Sequence, residues 1–144
     1  RIRPTFLTNR VTWDYRDLDV ARMQLAANDL IGKHDFNSFR SSACQAKSSV
    51  REILSLTISR QKDFVMIDVA ANAFLHHMVR NIAGVLLAIG SGEKPIAWSK
   101  EILAQKDRTK GGITAPPFGL YLVGIDYPPA FNIPEVSDSL MLWG

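Results

Sequence analysis

Two alternating segments separated by three polar residues constrain this chain more than anything else in it. Val50–Arg60 and Phe64–Val69 both read with the period-two pattern of a strand that has one buried face. Leu54, Leu56 and Ile58 share a face on the first, and Val65, Ile67 and Val69 share one on the second. The gap Gln61–Asp63 is the length of a hairpin turn. A hairpin cannot bury its apolar face by itself, so helices must be found to cover it.

Two segments offer themselves. Asp17 or Asp19 is placed to cap a helix over roughly Val20–Ile31, with Met23, Ala26, Ala27 and Leu30 at helical spacing and Gly32 as the stop. After the hairpin, Ala73–Ile89 reads as a helix ended by Gly90, Ser91 and Gly92, with Leu75, Val79, Ile82, Leu86 and Ile89 as its core stripe. His76, His77, Arg80, Asn81 and Gly84 fall on an adjacent sector, three or four residues apart. Ala83 and Gly84 leave little bulk there, which admits close approach by another element. A further helix, Ile96–Lys106, starts from Pro95 and turns Trp98, Ile102 and Leu103 to the core.

The remainder is less regular. A short strand is expected around Val11–Tyr15 and a last one over Leu120–Asp126, before Pro128 and Pro129. Lys33–Ser49 reads as a long loop, rich in Ser and base, with Phe36 and Phe39 embedded. Gly111–Gly112 and Pro116–Pro117 mark another loop. The order is strand, helix, two strands, helix, helix, strand. Apart from the extra helix, this is the ferredoxin-like split βαβ order: an α+β fold with an antiparallel sheet and its helices packed on one face. The second face of such a sheet invites a partner domain. Residues 1–128 form the domain on this reading, and 129–144 a tail that Phe131, Met141 and Trp143 pin to the domain or to an interface.

At 144 residues the chain is about one domain long, and a 47% hydrophobic content supports a core. No apolar run approaches the roughly 18 residues of a membrane span. The opening RIRPTFLTNRVTW has no apolar signal-peptide region, and it begins at Arg1 rather than Met. Either the first residues are missing or the chain is a piece of something longer. A single cysteine, Cys44, excludes an internal disulfide and fits a reducing compartment, so a cytoplasmic location is expected. The net charge is +3, but residues 36–62 carry Arg40, Lys47, Arg51, Arg60 and Lys62 against Glu52. From Ile125 onward there are three acids and no Lys or Arg. That asymmetry suits a polyanionic partner, although a mild basic patch is common among proteins without one.

Few residues can carry chemistry. His76–His77 invites a metal, but adjacent helix positions point about 100° apart, and no cysteine pair or acidic cluster supplies further ligands. No metal site is expected. Arg80 stands out because its guanidinium stays protonated in a helix turning wholly apolar toward Ile89. It needs water or an anion: an ordinary salt bridge on the plain reading, a carboxylate or phosphate in a cleft on the sharper one. No carboxylate in the chain answers as a nucleophile. Asp68 reads as solvent-facing, Asp107 as a local cap or a surface pair with Arg108, and Asp126 as a turn residue. No nucleophile elbow and no phosphate loop is present. In the long loop, Phe36 reads as an anchor, while Arg40 and Lys47 are phosphate candidates.

The segments HDFNSFRSSACQAKSSVREI (34–53), NAFLHHMVRNIAG (72–84) and AQKDRTKGGITAPPFGLYLVGIDYP (104–128) carry a resemblance. Together and in order, they resemble the C-terminal half of the tRNA pseudouridine synthase A family, from about Arg1 to Pro128. The resemblance implies an isomerase without metal or organic cofactor that converts uridine to pseudouridine in the anticodon stem-loop of tRNA. It implies two similar α/β halves with the active site in the cleft between them, and a homodimer in which one tRNA touches both subunits. The family's essential aspartate lies in an arginine-threonine-aspartate-alanine-glycine stretch of the first half, which this chain does not contain. By the same resemblance Arg80 matches the arginine that pairs with that aspartate, and Leu120 the apolar lining of the uracil pocket. His76, His77 and Asn81 take neighbouring structural or RNA-contact roles, and Arg40 and Lys47 contact tRNA. The chain by itself is then expected to be inactive.

Two other classes compete. A non-catalytic RNA-binding module of ferredoxin-like topology would show paired aromatics on its open sheet face, for which Phe64 and Tyr121 are the candidates. An assembly domain would use that face to bind a sister domain, but this leaves Arg80 and the basic loop unexplained.

Overall fold

In the computed structural model, which describes residues 3–133, the hairpin forms as the alternation requires. Strand β2 (Val50–Gln61) pairs antiparallel with β3 (Phe64–Ala71), Ile58 opposite Ile67 and Leu56 opposite Val69. A short edge strand, β1 (Gly32–Asp35), pairs antiparallel with the start of β2, so the sheet order is β1-β2-β3. Helices α1 (Val20–Asn28), α2 (Met78–Gly90) and α3 (Trp98–Gln105) complete the regular elements. The result is an α+β fold, a three-stranded antiparallel sheet flanked by helices, consistent with a ferredoxin-like arrangement.

Helix α1 is set by its cap: the Asp19 carboxylate accepts from the Arg22 backbone N–H at 3.0 Å. Its expected stripe of Met23, Ala26 and Ala27, with Leu30 just beyond, is fully buried. These residues share one core with Ile53, Leu56 and Ile58 of β2 and Ile82, Val85, Leu86 and Ile89 of α2. At Gly90 a Cβ would come 2.7 Å from the Met23 thioether, so the absence of a side chain lets α1 and α2 meet. Because β1 covers only the first residues of β2, the edge beyond it needs other partners. Gln24 supplies them: its amide donates to the Leu56 carbonyl at 3.0 Å and accepts from the Ile58 N–H at 2.7 Å.

Several expectations change. Leu54 does not share the core face with Leu56 and Ile58; it is 62% exposed. The register of β2 against β3 shifts between Ile53 and Ser55, and that irregularity turns Ile53 inward in its place. Lys33–Ser49 is not wholly loop. It contains the polar strand β1 and a 3-10 turn, Asn37–Phe39, and both phenylalanines are fully buried in edge-to-face contact. The anchor role therefore holds for Phe36 and extends to Phe39. Helix α2 begins at Met78, five residues later than expected, because His77 adopts a left-handed backbone (φ 63°) that an α-helix cannot continue through. Val79 is half-buried, and Met78 and Val85 join the stripe.

The expected strands around 11–15 and 120–126 are not strands. They do meet, but through side chains: Thr12 Oγ1 donates to the Phe118 carbonyl at 2.6 Å, and the Tyr121 hydroxyl donates to the Arg10 carbonyl at 2.7 Å. Neither gains a ladder on the sheet, and the apolar residues of 120–125 stay exposed. Met141 and Trp143 of the expected tail lie outside the described residues. Among the described residues, no helix is long and apolar enough to cross a membrane.

Candidate active site

The segment 72–77 leads into the site along a fixed path. Asn72 carries the chain off β3 with two bonds to Glu52, one from its N–H and one into its side-chain carbonyl, both 3.0 Å. Leu75 is buried as an anchor, and the Met78 N–H donates back to its carbonyl. His77 then takes the left-handed turn, and its carbonyl accepts the first helical bond, from the Asn81 N–H at 2.9 Å. The imidazoles of His76 and His77 stack with centroids 4.1 Å apart and planes 27° from parallel. They do not diverge as helix neighbours would, because both precede the helix.

Arg80, in the first turn of α2, is held from two sides. Its Nε donates to the Ala115 carbonyl at 2.8 Å, and its Nη1 lies 3.0 Å from His77 Nε2. The Ala115 N–H in turn donates to the Arg80 carbonyl at 3.1 Å, so one residue of a distant loop grips both its backbone and its side chain. Nη2 has no partner, and no carboxylate forms an ion pair with Arg80, among the described residues.

That distant loop reaches Arg80 because Gly84 lets it. A Cβ at Gly84 would fall 1.7 Å from the Ile113 carbonyl oxygen, inside any possible contact. The close approach anticipated from Ala83 and Gly84 is therefore made by the 111–115 loop. Asn81 ties the loop down. It is 2% exposed; its Nδ2 donates to the Phe39 carbonyl at 2.6 Å, and its Oδ1 accepts from Thr114 Oγ1 at 2.6 Å and from Arg108 at 3.2 Å. Arg108 also donates to Thr114 Oγ1 at 2.9 Å. Helix α2, the Phe39 turn and the 108–115 loop thus meet at one buried amide.

The basic loop lies against the same cluster. The Ser41 N–H donates to the His76 carbonyl at 2.8 Å, which ties the loop just after Arg40 to the histidine segment. The Arg40 side chain makes no hydrogen bond or ion pair among the described residues, and Lys47 is exposed further along the loop. Cys44 is drawn into this positive neighbourhood. Backbone N–H groups of Ala46 and His76, with Arg40 and Arg51 nearby, lower its thiol pKa below the ordinary value. The His77 pKa is also lowered, first by desolvation and then by the positive charges of its neighbours, including Arg80 and Arg108.

The structure therefore gathers Arg80, His76, His77 and Asn81, and brings the backbone next to Arg40 up to His76. Leu120 is not in that group: it is 50% exposed in the irregular segment beyond the loop, with its N–H on the Pro117 carbonyl at 3.3 Å. Asp107 is the local cap of the two roles open to it, accepting from the N–H and hydroxyl of Thr109. Arg108 and Thr114 were not singled out from the sequence. The available signal was the small-residue patch at Gly84, which says that something docks there but not which residues arrive with it.

A family profile described as tRNA pseudouridine synthase matches residues 26–128. The tRNA pseudouridine synthase A of Nitrosococcus oceani is 53% identical over 141 residues, which is 98% of this chain and 54% of that protein. Its counterpart in Pseudomonas aeruginosa is 53% identical over 134 residues, 93% of this chain and 47% of the relative. The Legionella pneumophila protein is 50% identical over 143 residues, 99% and 55%. The chain spans about half the length of the curated relatives it matches.

Proposed function

The chain belongs to the tRNA pseudouridine synthase family, and from that membership we propose that it forms one wall of an active site that isomerises uridine to pseudouridine in the anticodon stem-loop of tRNA. The observation that carries this reading is Arg80: a guanidinium oriented by His77 and Ala115, with Nη2 unpartnered and no ion-paired carboxylate among the described residues. A fixed arginine of this kind is ready for an anion supplied from outside the wall.

The proposed anion is the nucleophilic aspartate, carried by a part of the protein outside this chain. The reaction breaks the bond from the ribose C1′ to uracil N1, turns the base, and joins C1′ to C5. The proton leaving C5 balances the one gained at N1, so no cofactor enters the stoichiometry. The target base must leave the stack to react, and phosphate contacts hold the deformed RNA. Arg40, Lys47 and His76 are assigned to such contacts, and Leu120 to the lining of the uracil pocket. Asn81 has its amide spent on protein partners and is assigned to holding the wall together. The N-terminal half of the enzyme and a second subunit are the proposed protein partners, in the cytoplasm.

The RNA-binding alternative has less support. Tyr121 lies outside the sheet with its hydroxyl on the Arg10 carbonyl, so it does not stand on the sheet face where such a module shows its aromatics. The deciding experiment is Arg80→Met in the full-length enzyme. We expect turnover to fall by at least about 100-fold with the fold and much of tRNA binding kept. Unchanged turnover refutes the assignment.

A further inference from the structure

We propose that His77 is a positioning residue for Arg80: its neutral imidazole accepts from the guanidinium and, with the Ala115 carbonyl, fixes where the remaining nitrogen points. This rests on the active-site reading of Arg80 given above.

The geometry defines the protonation state. A guanidinium carries donors only, so the ring nitrogen 3.0 Å from Nη1 must be an acceptor. Nε2 is therefore unprotonated, and the ring proton sits on Nδ1. With Nε on Ala115 and Nη1 on His77, two of the three guanidinium nitrogens are held, and Nη2 is left for an incoming anion.

The backbone is shaped to the same end. His77 is a non-glycine residue at φ 63° and ψ 5°, a conformation that costs a side-chain-bearing residue energy and concentrates where function demands it. In this turn the ring lies against the start of α2, with Nε2 3.0 Å from Arg80 Nη1 and the His76 ring stacked on its face.

The charges around the ring all favour its neutral form. His76 faces it from its own segment, Arg80 from α2 and Arg108 from the turn after α3; no carboxylate among the described residues contributes. A protonated His77 could not accept from Arg80 and would repel it. Turnover should therefore decline as pH falls and His77 takes up its proton, at a pH below the ordinary imidazole range.

The test is kcat and KM of the full-length enzyme on tRNA across pH, for His77→Gly and His77→Asn. Glycine adopts the left-handed turn without cost and removes the acceptor. Asparagine tolerates the turn and keeps a shorter, non-titrating acceptor. For His77→Gly we expect kcat to fall about 10- to 100-fold near neutral pH with KM little changed, the size of effect that misplacing a reacting group produces. His77→Asn should fall less, and both should lose the part of the acid decline that belongs to His77.

Wild-type kcat in both variants, or an unaltered acid decline, overturns the proposal. So does a raised KM at unchanged kcat, which would make His77 an RNA contact. Arg80→Met in the same series separates the two levels. If it is inactive while the His77 variants are unaffected, only this inference falls. If it turns over normally, the active-site reading falls first.

Discussion

Thr114 Oγ1 donates to Asn81 Oδ1 at 2.6 Å, joining a loop residue to the helix position next to Arg80. Through that bond, and the Arg108 guanidinium that contacts both residues, the loop carrying Ala115 is held where its carbonyl meets Arg80. Replacing Thr114 by Val keeps the shape and removes the hydroxyl, leaving Asn81 Oδ1 only the longer bond from Arg108. The full-length enzyme should lose about 0.5–1.5 kcal/mol of stability in denaturant titration, the net worth of one hydrogen bond. Its turnover should fall as well, and Thr114→Ser should restore both. Equal values for all three proteins would show that the loop does not depend on the hydroxyl.

Gly84→Ala offers a contrast between local and tertiary energetics. In an isolated helix the change would stabilise by roughly 0.8–1 kcal/mol. Here the new Cβ meets the Ile113 carbonyl at 1.7 Å, so the loop must move and Arg80 must lose its Ala115 acceptor. A lower melting temperature together with reduced turnover is expected; a raised melting temperature with full activity would contradict the docking described.

Acid stability should depend on Asp14. Its carboxylate accepts from Arg16 Nε at 2.9 Å and Nη2 at 2.6 Å, and those hydrogen bonds hold its pKa below the ordinary value. Arg16 reaches on to Glu93 at 2.7 Å, so the pair ties the N-terminal segment to the end of α2. A depressed carboxylate contributes stability that is complete above the unfolded-state pKa, about 3.9 for Asp. That contribution is lost as pH falls from there through the folded pKa. Asp14→Asn should therefore be less stable than wild type at neutral pH, with the gap closing on acidification. A gap constant with pH would show that the pair contributes nothing through ionisation.

The 144-residue chain, assayed by itself for tritium release from C5-labelled uridine in tRNA, should give no signal above background. Normal turnover would force a search for the nucleophile within the chain, beginning with Asp68 and Asp107. Asp68 is exposed on β3 opposite Thr57, and Asp107 is engaged by Thr109, so neither is presently aimed at Arg80.

Local chemistry was enough for the hairpin, for α1 and for the anchoring of Phe36. Alternating apolar residues, an aspartate three positions ahead of a helical N–H, and a Met-Ala-Ala-Leu stripe each express a preference within a few residues of themselves. What the tertiary structure decided involves partners far apart in sequence. Strand β1 is Gly-Lys-His-Asp, with no apolar pattern, and exists because β2 offers it an edge. The shift at Ile53 exchanged Leu54 for Ile53 in the core through pairing with β3. Arg80 could be picked out as a charge in need of an anion. Its orientation came from Ala115, 35 residues on, and from a left-handed turn at His77 that no periodicity announces. Hydrogen bonds between distant loops carry no sequence period, so side-chain chemistry could nominate the residue, and only the packed chain could aim it.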